Sequence, residues 1–294
     1  MNAFESYHPA VLLFYFLSVT LLTMFTSHPV ILLLSVLSAV CFFGMLARRR
    51  ELRSSLAFYI PAFLLIAVTN PLFSHNGVTP LFFLNDNPVT LEAVLYGAAI
   101  AAMLIAVIYW FKCFSEVMTS DKFLYLFGRA IPRLSLLLSM ALRFIPKFKA
   151  QMQTVSEAQA CIGRDTKNGS VFRRVGNAIK IFSIMVTWSL ENAIETADSM
   201  RSRGYGLPGR TAFSIYRFDD RDKAALAWLI FCGAYILSGW LAGGMYFRYY
   251  PTVKTALWTP LTISFMCVYL ALVLTPVILD RREDRQWKSL QSET

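Results

Sequence analysis

The chain has 294 residues, of which 56% are apolar and only 16% charged, and it carries a formal charge of +10. With a positive mean hydropathy, it has too little polar surface for a soluble domain of this size, so a membrane protein is expected. The cations are not read as a nucleic-acid surface, which needs basic residues interleaved with base-stacking aromatics on a soluble face.

Met1–His8 carries no Lys or Arg, and no small-residue cleavage site follows the first apolar run. That run therefore reads as a retained span, not a signal peptide. Five apolar stretches approach or exceed the roughly 20 residues that cross about 30 Å of hydrocarbon, and a sixth is shorter. The six cover Pro9–Phe25, Pro29–Leu46, Leu56–Phe73, Leu91–Phe111, Ala224–Tyr246 and Thr255–Leu279. Pro61 and Pro71 interrupt the third, which still reads as a span because neighbouring helices re-satisfy the freed backbone groups.

The basic residues order these spans. Arg48, Arg49, Arg50 and Arg53 follow the second span, eighteen Lys and Arg lie from Lys112 to Lys223, and Arg281, Arg282, Arg285 and Lys288 follow the last. On a six-span path 26 of the 28 fall on one side, against Arg248 and Lys254 on the other. The positive-inside rule then puts both termini in the cytoplasm of a cell-membrane protein. The expected organisation is four spans in 1–111, a cytoplasmic segment in 112–223, and two spans with a tail in 224–294. The fold class is all-α and polytopic, with long amphipathic cytoplasmic helices between spans four and five.

Chemistry is hard to place on this chain. The interiors of the six spans hold no Asp, Glu, Lys, Arg or His, whereas ion-coupled transporters keep ionisable groups at depth. His8, His28 and His75 stand near span ends, away from any carboxylate cluster, and read as interfacial residues. Five cysteines (Cys41, Cys113, Cys161, Cys232, Cys267) form no CxxC pair, so they are expected to be small packing residues. No metal, cofactor or catalytic residue is therefore expected. Gly204 to Gly209 fit G-x-G-x-x-G, but they follow a helical run and contain Pro208. They read as a helix C-terminus with left-handed glycines, not a dinucleotide loop. With no Gly-Lys dipeptide there is no ATP-binding P-loop either.

The segment 112–223 carries most of the information. Two apolar runs, Leu134–Leu142 and Ile181–Leu190, are too short to span and are flanked by charge, the pattern of interfacial or partner-facing helices. Val171, Val175, Ala178, Phe182, Met185, Ala193, Ala197 and Met200 recur at helical spacing and are expected to form one apolar stripe. Phe182, Met185 and Val186 are the residues expected to face a partner. Two long helical stretches end alike, at Cys161-Ile162-Gly163-Arg164 and at Arg201-Ser202-Arg203-Gly204. In each a glycine cap adjoins an arginine, a cation favoured by the helix dipole and able to pair with carboxylates or carbonyls.

These residues resemble a known family, the transmembrane (T) component of energy-coupling factor transporters, which are ABC-type importers of vitamins and metal ions. The resemblance rests on Ala141-Leu142-Arg143-Phe144-Ile145-Pro146, Glu157-Ala158-Gln159 and above all Ser199-Met200-Arg201-Ser202-Arg203-Gly204-Tyr205-Gly206, with Gly209-Arg210-Thr211 and Arg221-Asp222 downstream. It is strong over roughly 132–222. The resemblance implies a non-catalytic subunit in the lipid bilayer. Its partners would be two cytoplasmic ABC ATPase subunits, which hydrolyse ATP, and a separate substrate-binding membrane (S) subunit. It also implies that X-Arg-X motifs at coupling-helix ends dock on the ATPases. The second motif falls on Ser202, Arg203 and Gly204. The first falls on Ile162 and Gly163, with isoleucine where the family has arginine, and Arg164 stands two residues on as the alternative cation. The rival expectation is a self-contained permease with a regulatory cytoplasmic insert.

Overall fold

Proline and glycine punctuate most of the helices. The computed structural model describes residues 3–74, 76–84, 87–164, 170–208, 216–255 and 259–292. After a 3-10 turn at Ala3–Ser6, α1 (Pro9–Phe25) and α2 (Pro29–Leu46) each open on a proline at the first helical position, where the missing N–H costs nothing. The residue before Pro29, His28, is extended, as the clash with a proline ring requires. Then follow α3 (Arg49–Phe73), α4 (Leu91–Val117), α5 (Ser120–Ala130), α6 (Pro132–Cys161), α7 (Val171–Ser202), α8 (Asp220–Leu241) and α9 (Pro260–Ser292). Two small antiparallel hairpins fill the gaps, β1 (Pro80–Leu84) with β2 (Asn87–Thr90) and β3 (Phe247–Arg248) with β4 (Lys254–Thr255).

The protein is an all-α polytopic membrane protein. Among the described residues α2, α3, α4, α8 and the part of α9 up to Glu283 are long and apolar enough to cross a bilayer, and α1 is a shorter apolar helix of 17 residues. At 1.5 Å per residue α1 rises about 25 Å, just under the hydrocarbon thickness. It is nonetheless the centre of the core, with Val11, Leu12, Tyr15 and Val19 fully buried.

Several span ends differ from the sequence reading. The third span runs unbroken for 25 residues from Arg49, with Pro61 and Pro71 inside the helix. It is also the least enclosed, burying only Ser55 and Pro71. The fourth reaches Val117, past Phe111. The fifth stops at Leu241, because Gly243 turns left-handed (φ +72°) and a hairpin follows. The sixth starts at Pro260 rather than Thr255. Of the five cysteines, Cys113 and Cys232 are packing residues, but Cys41, Cys161 and Cys267 are exposed.

The chain divides into two units, residues 1–123 with 216–294, and residues 124–215. In the first, the N-terminal spans and the C-terminal pair share one core, dominated by Tyr15, Phe42, Tyr109, Trp110 and Tyr269. A hydroxyl cluster lies inside it. Thr23 Oγ1 is hydrogen-bonded to Ser35 Oγ (2.9 Å) and to the Tyr269 hydroxyl (3.0 Å), and Trp110 Nε1 donates to Ser35 Oγ (3.0 Å). The Tyr15 hydroxyl donates to the Val273 carbonyl (3.0 Å). These bonds join α1, α2, α4 and α9 where hydrophobic burial between helices contributes little, and such bonds are worth about 0.6–2 kcal/mol each. Gly97 lets α4 approach α3, because a Cβ there would strike the Ala67 carbonyl.

Candidate functional site

The unit 124–215 is built on two helices longer than a membrane span. The 30 residues of α6 and the 32 of α7 extend about 45 Å and 48 Å. The two meet near their midpoints. Phe148 stands edge-on to Trp188 at 5.2 Å, Lys147 Nζ donates to Asn192 Oδ1 (2.7 Å), and the same ammonium lies 5.5 Å from the Trp188 ring.

Both helices end in the same motif, with left-handed glycines Gly163 and Gly204 at φ +77°. On α6 the Arg164 amide donates to the Gln159 carbonyl (2.9 Å) and the Gly163 amide to Ala160 (3.0 Å). On α7 Tyr205 donates to Met200 (3.0 Å) and Gly204 to Arg201 (2.9 Å). Each is a Schellman cap, which satisfies carbonyls the helix leaves open. The helix end of α8 shows the same pair of bonds at Gly243 and Gly244, so the cap alone marks nothing functional.

The cap does fix a register between the two ends. Ile162 and Arg203 hold the same position, immediately before the left-handed glycine, and Arg164 corresponds to Tyr205. The ends are therefore chemically unequal. Ile162 offers an exposed apolar side chain where Arg203 offers an exposed guanidinium. Ser202 closes its own turn by donating to the Ser199 carbonyl (2.9 Å). Among the described residues neither Arg164 nor Arg203 takes part in an ion pair. The Gly209-Arg210-Thr211 stretch, His75 and Asp165 lie outside the described residues.

Along α7 the structure separates the three residues expected to face a partner. Phe182 is 69% exposed and Val186 40%, but Met185 is 9% exposed and belongs with Asn177 and Ile181 on a buried side. The single stripe of the sequence reading is thus two faces. The exposed apolar one runs through Phe172, Val175, Ile179, Phe182, Val186 and Leu190, at steps of three and four residues. The bulk of the exposed face falls on Ile179 and not on its smaller neighbour Ala178, because helical spacing alone does not say which side is already covered.

The first unit secures both points where its chain connects to residues 124–215. Before the connection, the buried ammonium of Lys122 donates to the Glu5 carbonyl (2.8 Å) and the Val117 carbonyl (2.9 Å). Burial lowers its pKa from the usual lysine value, against the pull of the Glu5 charge. After the connection, Asp222 is 3% exposed and accepts from the His8 amide (3.0 Å) and the Asp219 amide (3.1 Å), completing the α8 capping box. Arg221 pairs with Glu283 (3.1 Å), donates to Ser6 Oγ (3.1 Å) and lies 4.4 Å from the Tyr7 ring. One N-terminal segment, Glu5 to His8, therefore holds both connections. In the sequence Arg221-Asp222 enters only through the family resemblance; the Asp-x-x-Asp spacing before an apolar run is the local signal for the capping box.

No family model matches the chain. It is 36% identical over 107 residues to the energy-coupling factor transporter transmembrane protein EcfT 1 of Listeria monocytogenes, covering 35% of this chain and 40% of that protein. It is 33% identical over 112 residues to EcfT of Bacillus selenitireducens (38% and 42%) and 32% over 110 residues to EcfT of Lactobacillus helveticus (37% and 40%). The matches thus span about two fifths of these curated relatives' length. Over that share, the resemblance to the transmembrane component of energy-coupling factor transporters is borne out.

Proposed function

We infer that this chain, similar to the transmembrane components of energy-coupling factor transporters, is the coupling subunit of such an importer. Two cytoplasmic ABC ATPases would dock on the ends of α6 and α7, through Ile162, Gly163 and Arg164 at one and Ser202, Arg203 and Gly204 at the other. The exposed apolar face of α7, with Phe182 and Val186, would engage a substrate-binding membrane subunit for a vitamin, metal ion or similar micronutrient. This chain would bind no nucleotide and perform no chemistry. The observation that carries the reading is the cap register, which puts an exposed guanidinium, without an ion pair among the described residues, at the tip of a helix of 32 residues. The negative end of the helix dipole favours a cation there, and a guanidinium can fork onto a carboxylate or onto carbonyls at another helix end.

Arg203→Glu tests it. The tagged chain, purified from its own membrane, should bring down ATP-hydrolysing subunits, and the variant should lose them while inserting normally. Truncating one partner of a desolvated charge contact costs about 2–5 kcal/mol, enough to abolish recovery. Undiminished ATPase recovery and transport by Arg203→Glu would remove this tip from the mechanism.

A further inference from the structure

A groove of about 610 Å3 opens between the charged ends of α3 and α4. It is lined by Lys112, Ser55, Glu51 and Glu116, with Tyr59 and Phe111 as apolar wall. Here α3 begins with Arg49-Arg50-Glu51 and α4 leaves its apolar stretch through Lys112 and Glu116. The groove therefore lies where the span gives way to charge, at the depth of lipid headgroups.

Its charges are held but not neutralised. Lys112 Nζ donates to Ser55 Oγ (2.8 Å) and lies 4.7 Å from the Tyr59 ring and 5.2 Å from that of Phe43. These contacts fix the ammonium, and one hydrogen bond leaves donors to spare. Among the described residues Lys112 has no ion-pair partner, nor have Glu51 and Glu116. One groove thus presents a cation and two carboxylates that do not pair with each other. Phe111 is 56% exposed, and α3 buries little, so the apolar wall continues onto a surface that the bilayer covers.

We propose that this groove binds a phospholipid whose headgroup carries both a phosphate and an ammonium. The phosphate lies against Lys112 and Ser55, the ammonium against Glu51 and Glu116, and an acyl chain along Phe111. A headgroup with phosphate but no amine satisfies Lys112 and sets a negative charge against two carboxylates, which selects against it. The proposal rests on α3 and α4 spanning the membrane and is independent of the coupling reading.

The test uses the full chain in nanodiscs containing equal amounts of phosphatidylethanolamine and phosphatidylglycerol with identical acyl chains. Retained lipids are counted by native mass spectrometry after re-extraction into detergent. The chain should retain the ethanolamine lipid about fivefold over the glycerol lipid, equivalent to about 1 kcal/mol. Glu51→Gln with Glu116→Gln, both on exposed side chains, should bring that ratio close to one while total lipid stays. Lys112→Met should lower retention of both lipids about tenfold, and Lys112→Arg should restore it. An unchanged ratio in the double glutamine variant overturns the proposal, even if Lys112→Met fails to fold. Displacement of the lipid by inorganic phosphate would assign the groove to a free anion instead. Its loss when the copurifying subunits assemble would assign it to a protein partner, and either outcome overturns the proposal.

Discussion

Ser35 binds two side chains from two other helices, and Thr23 extends the link to a fourth through Tyr269. Removing that one hydroxyl leaves the Trp110 indole N–H, fully buried, without an acceptor. An orphaned buried donor costs about 1–3 kcal/mol, and lipid offers no water to replace the bond. Ser35→Ala should therefore lower the melting temperature of the detergent-solubilised chain by several degrees. Ser18→Ala serves as the control, because its exposed hydroxyl returns only to the Phe14 carbonyl of its own helix and should move the melting point hardly at all. Equal effects of the two would show that the cluster is not what ties the spans together. No charged residue marks this cluster in the sequence, and serine, threonine and tyrosine in an apolar run look like ordinary span residues until their partners are known.

At the scale of the element, α7 separates structural from functional apolar residues. If its exposed face engages a substrate-binding subunit, Phe182→Asp should lose that subunit, keep the ATPases, and leave thermal stability unchanged. Met185→Asp should behave differently, because it places a charge at a buried site, a cost that commonly unfolds the surroundings; it should lose both partners together. Recovery of the substrate-binding subunit by Phe182→Asp, in pull-downs from equal amounts of inserted protein, would exclude this face as the contact. The two residues were grouped in the sequence because three-residue spacing keeps them within one broad helical face; burial by the fold then split that face. Span positions were legible to the residue for α1 and α2, where proline starts the helix and an extended residue ends it. They were less legible for α8, whose apolar run continues past its last helical residue into a hairpin, so hydropathy saw no boundary. The capped tips were legible because glycine after a long helical run has a local cause. The anchoring of Lys122 and Asp222 by the N-terminal segment was not, as those bonds cross from 117 to 214 residues of sequence.

For the whole molecule, the charge distribution and the span lengths together set an orientation. With 25 residues, α3 rises about 37 Å, more than the roughly 30 Å of hydrocarbon, so Arg50 near its start and Asn76 beyond its end must lie on opposite sides. Arg48, Arg49, Arg50 and Arg53 cluster at the first end, whereas the stretch from Asn70 to Thr90 has no basic residue. The 27 residues of α4 are long enough to return the chain to the first side, where the basic segment up to Lys223 is expected to follow. By the positive-inside rule that side is expected to be the cytoplasmic one, which is the side the proposed docking to ATPases requires. Reporter fusions at Arg50 and at Lys223 should therefore read cytoplasmic, and one at Asn76 external. The orientation does not hang on one cluster, since 22 of the 26 basic residues on this side remain when those four arginines are set aside. Neutralising Arg48, Arg49, Arg50 and Arg53 together should thus leave the Lys223 reporter cytoplasmic. An external reading at Lys223 in the unaltered chain would put both helix tips on the wrong face for ATP-hydrolysing partners and end the coupling reading with them.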